Sequence, residues 1–150
     1  MWFYGEGAML AIRRWEMFKP LRAAATLPAQ DLQRAKAFYR DKLGLSPTME
    51  DGALGLMYEL AAATGFGVFP SSGKPSGTHT QMAIEVEDVE GAVKDLQSKG
   101  VKFEDIDAPG LKTVNGIADF GGSKGAWFKD SEGNLIALGV PVPVAARPRS

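Results

Sequence analysis

Ala126-Trp127-Phe128-Lys129-Asp130-Ser131-Glu132-Gly133-Asn134-Leu135-Ile136-Ala137-Leu138-Gly139-Val140 is the stretch from which the fold is read. Two apolar runs flank a four-residue turn with Asp130 first and Gly133 fourth. Asp accepts a local backbone bond and Gly tolerates a left-handed conformation, which is the chemistry of a type I turn. Leu135, Ile136, Ala137 and Leu138 are all apolar, so this strand is buried on both faces of its sheet. Such a strand needs a neighbour on each side, and one of them can be a cavity. What Ala137 faces is therefore the central question.

Working back from the hairpin, Asp107 to Lys124 reads as a long loop rich in Gly, and Val101 to Ile106 as a strand. A helix with the apolar stripe Val89, Ala92, Val93 and Leu96 is capped by Asp88 and closed by Gly100. Gln81 to Val86 alternates as a strand, and Ser71 to Gly77 is a Ser/Gly/Pro-rich linker. The same order precedes the linker. Leu21 to Leu27 reads as a strand, and Asp31 caps a helix carrying Leu32, Ala35, Phe38, Tyr39 and Leu43, which ends at Gly44. Strands follow over Leu45 to Glu50, Leu54 to Leu60 and Phe66 to Pro70, the last two around a turn ending at Gly65. Asp31/Gly44 and Asp88/Gly100 are offset almost equally, as an internal duplication predicts. The expected organisation is an N-terminal extension (1–20), one domain (21–140) of modules at about 21–70 and 78–140, and a Pro-broken tail (141–150). The extension is crowded with Trp2, Phe3, Tyr4, Leu10, Ile12, Trp15 and Phe18. Glu6 to Phe18 can form a helix, for which a partner subunit is the natural cover.

At 150 residues the chain suits a single domain, and 45% apolar with 23% charged residues is ordinary for a soluble globular protein. A net charge of −1 supplies no field to hold nucleic acid. With no cysteine there is no disulfide, no thiolate catalysis and no sulfur-ligated zinc, which fits a cytoplasmic location. Glu6, Arg13, Arg14 and Glu16 interrupt the N-terminal apolar residues too early for a membrane span. The arginines also follow the apolar stretch, the reverse of a secretory signal.

Two segments now carry a family resemblance. Asp31-Leu32-Gln33-Arg34-Ala35-Lys36-Ala37-Phe38-Tyr39-Arg40-Asp41-Lys42-Leu43-Gly44-Leu45 resembles the first helix of the vicinal oxygen chelate superfamily, which includes glyoxalases, bleomycin-resistance proteins and dioxygenases. Phe128 to Ile136 is similar to that family's closing hairpin. The resemblance implies an α+β fold of two βαβββ modules, forming a glyoxalase-like open β-barrel around a cavity, often in a homodimer.

It also implies where a metal would be held. Enzymes of the family use one ligand on the first and one on the last strand of each module. The first lies seven residues before the helix-capping acid, which gives Ala24 and Gln81. The last lies four residues after the hairpin Gly, which gives Ala137 from Gly133 and Phe69 from Gly65. Ala and Phe have no lone pair to donate, and one Gln amide is a poor anchor for a transition metal. No metal or other cofactor is expected.

Glu85 shares the Gln81 face, where a carboxylate can serve as a base or hold a cationic ligand. His79, the only histidine, reads more simply as an exposed loop residue than as an acid–base group. Gly121-Gly122-Ser123-Lys124-Gly125 resembles an anion nest but lacks phosphate-loop spacing, so a lid over the cavity is the better reading. Glu104, Asp105 and Asp107 lack calcium-loop spacing and read as a solvated edge. Trp127 and Phe128 must face opposite ways, so only one of them can line a pocket.

The leading expectation is a metal-independent protein that binds a small apolar or aromatic molecule at Ala24, Phe69, Gln81, Glu85, Trp127 and Ala137, in a homodimer. No catalytic residue is identified. The alternatives are a glyoxalase- or dioxygenase-type enzyme with a divergent metal site, and a dimeric structural module whose cavity is filled.

Overall fold

The computed structural model describes residues 18–140; the expected N-terminal helix, apart from its last residue, and the tail lie outside them. The first module is β1 (Ala25–Ala29), α1 (Leu32–Leu43), β2 (Met49–Asp51), β3 (Gly55–Glu59) and β4 (Gly65–Pro70). The second is β5 (Met82–Glu85), α2 (Val89–Ser98), β6 (Asp107–Ala108), β7 (Leu111–Val114), β8 (Ile117–Asp119), β9 (Lys124–Lys129) and β10 (Leu135–Gly139). Two mixed sheets result, ordered β1-β4-β3-β2 and β5-β10-β9-β8-β7-β6. In each, the first strand of the module runs parallel to the last, and the remaining pairs are antiparallel. The duplicated α+β architecture is thus present. Its barrel is present as two separate sheets, and no ladder joins their edges among the described residues.

Three expectations about elements are corrected. Val101 to Ile106 does not form a strand; Phe103 makes only an isolated bridge to Phe128. The stretch from Asp107 to Lys124 is not a long loop but carries β6, β7 and β8. Asn115 (φ 54°) and Gly116 (φ 80°) form a two-residue left-handed turn between β7 and β8, the Asn-Gly chemistry that favours a tight hairpin. The third concerns β1, which starts at Ala25 rather than Leu21, and Leu21 is 87% exposed. Pro28 is tolerated within β1 because that strand lies at a sheet edge.

Both helices start where the sequence places them. Asp31 is extended (φ −135°) and its Oδ1 accepts the Arg34 N–H at 2.9 Å, satisfying a donor the helix leaves open. Asp88 does the same for Gly91 at 3.0 Å. A Cβ at Gly91 would stand 2.4 Å from Asp88 Oδ2, so only glycine leaves room for this cap as built. Gly44 takes φ 68° and closes α1 through its N–H to Arg40 O.

The helices cover one face of each sheet. Tyr39 of α1 is fully buried against Tyr58 and Phe66, whose rings stack at 4.8 Å. Phe128, Ile136 and Val93 take the equivalent place in the second module, and the two sets merge into one core. Each large apolar side chain buried here contributes roughly 1.5–3 kcal/mol. Polar bonds join the modules as well. Tyr39 Oη donates to Asp130 Oδ2 at 2.8 Å, and Asn134 Nδ2 donates to Pro28 O at 3.0 Å and to Asp130 Oδ2 at 2.8 Å. Asp130 Oδ1 accepts the backbone N–H groups of Glu132 and Asn134. Asp130 therefore does more than start a turn, because its carboxylate ties the closing hairpin to α1.

Candidate functional site

Strand alternation sends one set of side chains under the helices and the other to the opposite face. In the second sheet, Phe128, Ile136, Leu138 and Met82 are buried under α2. Between them, Trp127, Ala137, Ala83 and Glu85 point to the other face, where Ala137 pairs with Trp127 on one side and Ala83 on the other. Gln81 precedes β5 in the same alternation, and its N–H reaches Leu135 O at 2.9 Å. Phe128 is fully buried and Trp127 half-buried, so the adjacent aromatics do divide between core and open face. The Trp127 indole N–H donates to Thr80 Oγ1 at 3.1 Å, which orients the ring across the sheet. Gln81 Oε1 is buried without a hydrogen-bond partner among the described residues.

In the first sheet the register differs from the sequence count. Met57 pairs with Gly67 as Trp127 pairs with Ala137, and Thr26 pairs with Gly67 as Ala83 pairs with Ala137. The structural counterpart of Ala137 is therefore Gly67, not Phe69. The count fails because the left-handed residue of the first hairpin, matching Gly133 (φ 90°), is Ala63 (φ 57°) and not Gly65. Ala62 is left-handed too (φ 58°), and no glycine marks this turn. Phe69 lies two residues beyond Gly67 on the same face, 37% exposed. Glycine offers no metal donor either, so the corrected set is Ala24, Gly67, Gln81 and Ala137. Among the described residues no group of three or more His, Asp or Glu could hold a metal ion.

Two residues that sequence reasoning missed shape the face. Met57, the counterpart of Trp127, lies over Gly67, since a Cβ there would meet its sulfur at 3.1 Å. Met49 pairs with Met57 in register and is also exposed. Phe120 and the far edge of Trp127 flank Gly125, at 3.5 and 3.4 Å from the point a Cβ would occupy. The repeat itself was the available signal, because aligning the two hairpins by strand register finds Met57 and Gly67 together.

The six expected residues fall in two groups. Gln81, Glu85, Trp127 and Ala137 share the second sheet, whereas Ala24 and Phe69 belong to the first. Ala24 is exposed one residue before β1. Three clefts of about 350, 520 and 570 Å³ occur elsewhere, and none is lined by any of the six. Gly67 is buried, Gln81, Trp127 and Ala137 are half-buried, and Ala83 and Glu85 are exposed.

The remaining candidates have structural partners. His79 is exposed and its Nδ1 lies 3.2 Å from Ser76 Oγ. The N–H groups of Gly121 and Gly122 both donate to Asp119 Oδ1, so this nest is filled from within. The Gly122 N–H, helped by that of Gly121 and by the Lys124 charge, outweighs burial and holds the Asp119 carboxyl below its usual range. Glu104 pairs with Lys129 at 3.4 Å. Tyr58 Oη is buried without a partner among the described residues, and burial pushes that hydroxyl up to about 12.

Comparison with known proteins agrees with this geometry. A sequence model of the Glyoxalase/Bleomycin resistance protein/Dioxygenase superfamily matches residues 22–138. The fold is similar to TnmS3, an antibiotic binding protein from Streptomyces sp. CB03234, with TM-score 0.56 and 21% identity over 83% of this chain and 100% of that one. A glyoxalase / bleomycin resistance protein from Catenulispora acidiphila gives 0.56 and 23% over the same shares. The fosfomycin resistance protein FosX of Listeria monocytogenes gives 0.61 and 14%, over 83% of this chain and 96% of that one. No curated protein matches the chain.

Proposed function

The chain belongs to the glyoxalase/bleomycin resistance protein/dioxygenase superfamily, and from that premise we propose that it is a metal-independent binder of small apolar or aromatic molecules. The observation that carries this is a pair of equivalent strand positions, one in each sheet. Gly67 and Ala137, paired with Met57 and Trp127, occupy matching strand positions, at which the family resemblance implies oxygen or nitrogen donors in metal-binding members. A methyl group, a thioether and an indole can hold an apolar ring by contact and dispersion but cannot hold a hard or borderline cation. Binding of antibiotics or resistance to them, named for TnmS3 and FosX, supports a small-molecule role. We assign the work to a cytoplasmic homodimer. Exposed Met49, Met57, Phe69 and Phe120 leave an apolar face uncovered in one chain, and a second copy set against it would turn an open face into an enclosed site.

Titration with the neutral dye Nile red, alongside elemental analysis, tests the reading. Fluorescence enhancement should saturate, survive EDTA and be weakened at least about tenfold by Ala137→Trp, which puts a bulky ring beside Trp127. Stoichiometric zinc, nickel, iron or manganese with chelator-sensitive binding would overturn the metal-free claim. Unchanged affinity in Ala137→Trp would remove this face from the account.

A further inference from the structure

A second, chemically different cleft of about 520 Å³ lies where α1, the linker and the closing turn meet. Arg34, Lys74 and Lys129 line it with the carboxylate of Glu132, and with Ser76 and Ser131, whose hydroxyls are bonded to Thr78 and Glu132. The wall is prearranged. Glu132 is 1% exposed and takes Arg34 Nε at 2.7 Å and Nη2 at 3.0 Å, as well as the Asp31 N–H at 3.1 Å and Ser131 Oγ at 2.9 Å. That grip uses one edge of the guanidinium and fixes its plane. The Nη1 side of the fork takes no part in it, and the Arg34 side chain is 53% exposed. The linker is shaped around the second cation, since a Cβ at Gly77 would stand 3.0 Å from Lys129 Cε and 3.2 Å from Nζ. Lys129 is held only loosely by Glu104, at 3.4 Å, and Lys74 is exposed.

We propose that this cleft binds a phosphate group, free or carried on a small metabolite, independently of the apolar face. Arg34 and Lys129 each keep one carboxylate partner, Glu132 and Glu104, whereas no ion pair holds Lys74 among the described residues, so the recess presents three cations against two carboxylates. A tetrahedral oxyanion can accept from the outer edge of Arg34 and from both ammonium groups together. The volume exceeds that of inorganic phosphate, so an ester-borne phosphate fits as well.

The test is a 15N-resolved NMR titration with inorganic phosphate and, separately, glycerol phosphate, at ionic strength held constant with sodium chloride. Saturable shifts are expected at residues 74–77 and 129–133, and the tighter of the two ligands identifies the source. Lys74→Ala/Lys129→Ala should weaken binding at least about tenfold, the size expected for losing charge-assisted contacts. Trp127→Ala should leave it unchanged, which separates failure here from failure of the apolar-site reading. Should the double variant lose its far-UV circular dichroism, Lys74→Ala alone carries the same direction, because its side chain is in solvent. Shifts reproduced by sodium chloride alone, or a folded variant that titrates like the native protein, would overturn the proposal.

Discussion

Tyr39 and Tyr58 touch each other in one core and pose opposite problems. Burial pushes the Tyr39 hydroxyl well up, and the Asp130 charge and hydrogen bond push it further, yet that bond is what satisfies it. Tyr58 carries an equally buried ring, but its hydroxyl has no partner. Leaving a buried hydroxyl unpaired costs about 1–3 kcal/mol. Tyr58→Phe is therefore expected to raise stability by about 1 kcal/mol, and Tyr39→Phe to lower it by about 1–2 kcal/mol. Urea denaturation of both variants checks this, and a loss of stability in Tyr58→Phe would mean that its hydroxyl is satisfied in solution.

At the scale of elements, the closing turn and the first turn of α1 form a clamp. Burial pushes the Glu132 carboxyl up, but Arg34, the Asp31 N–H and the Ser131 hydroxyl outweigh that effect and hold it below the usual range. A carboxyl lowered by folding adds stability that is full above its unfolded value, near 4.5, and is lost as pH falls through the folded one. Glu132→Gln should thus cost about 2 kcal/mol at neutral pH, a cost that shrinks as the pH drops below 4.5. Denaturation curves at pH 7 and pH 3 measure the gap, and a difference independent of pH would assign the loss to shape rather than charge. The same turn shows what periodicity could read. Asp130, Gly133 and the caps at Asp31 and Asp88 act through neighbours a few residues away, so composition reveals them. The first hairpin was misread because Ala62 and Ala63 occupy left-handed positions that sequence rules reserve for glycine. The β6–β8 strands were missed because they are two to four residues long, and Gly110, Gly116, Gly121 and Gly122 disguise them as loop.

For the molecule as a whole, two modules of similar plan share one core and bury their junction through Tyr39, Asp130, Asn134 and Pro28. A piece of about 50–60 residues is marginal on its own surface-to-volume terms. Here it would also expose Tyr39 without its acceptor. Residues 21–73 expressed alone should therefore lack the dispersed amide spectrum of a folded protein; a well-dispersed spectrum would show that the modules are independent.

The duplicated plan, the helix caps, the closing turn and the two-faced division of Trp127 from Phe128 are legible in the chain before it folds. Each of these depends on local spacing and alternation. Strand pairing in the folded chain is what matches Gly67 rather than Phe69 to Ala137, sets Met57 over it, and divides the expected site residues between two sheets. Register is fixed by pairing between strands far apart in the chain, and enclosure depends on what stands across from a face. Neither quantity is carried by any one segment.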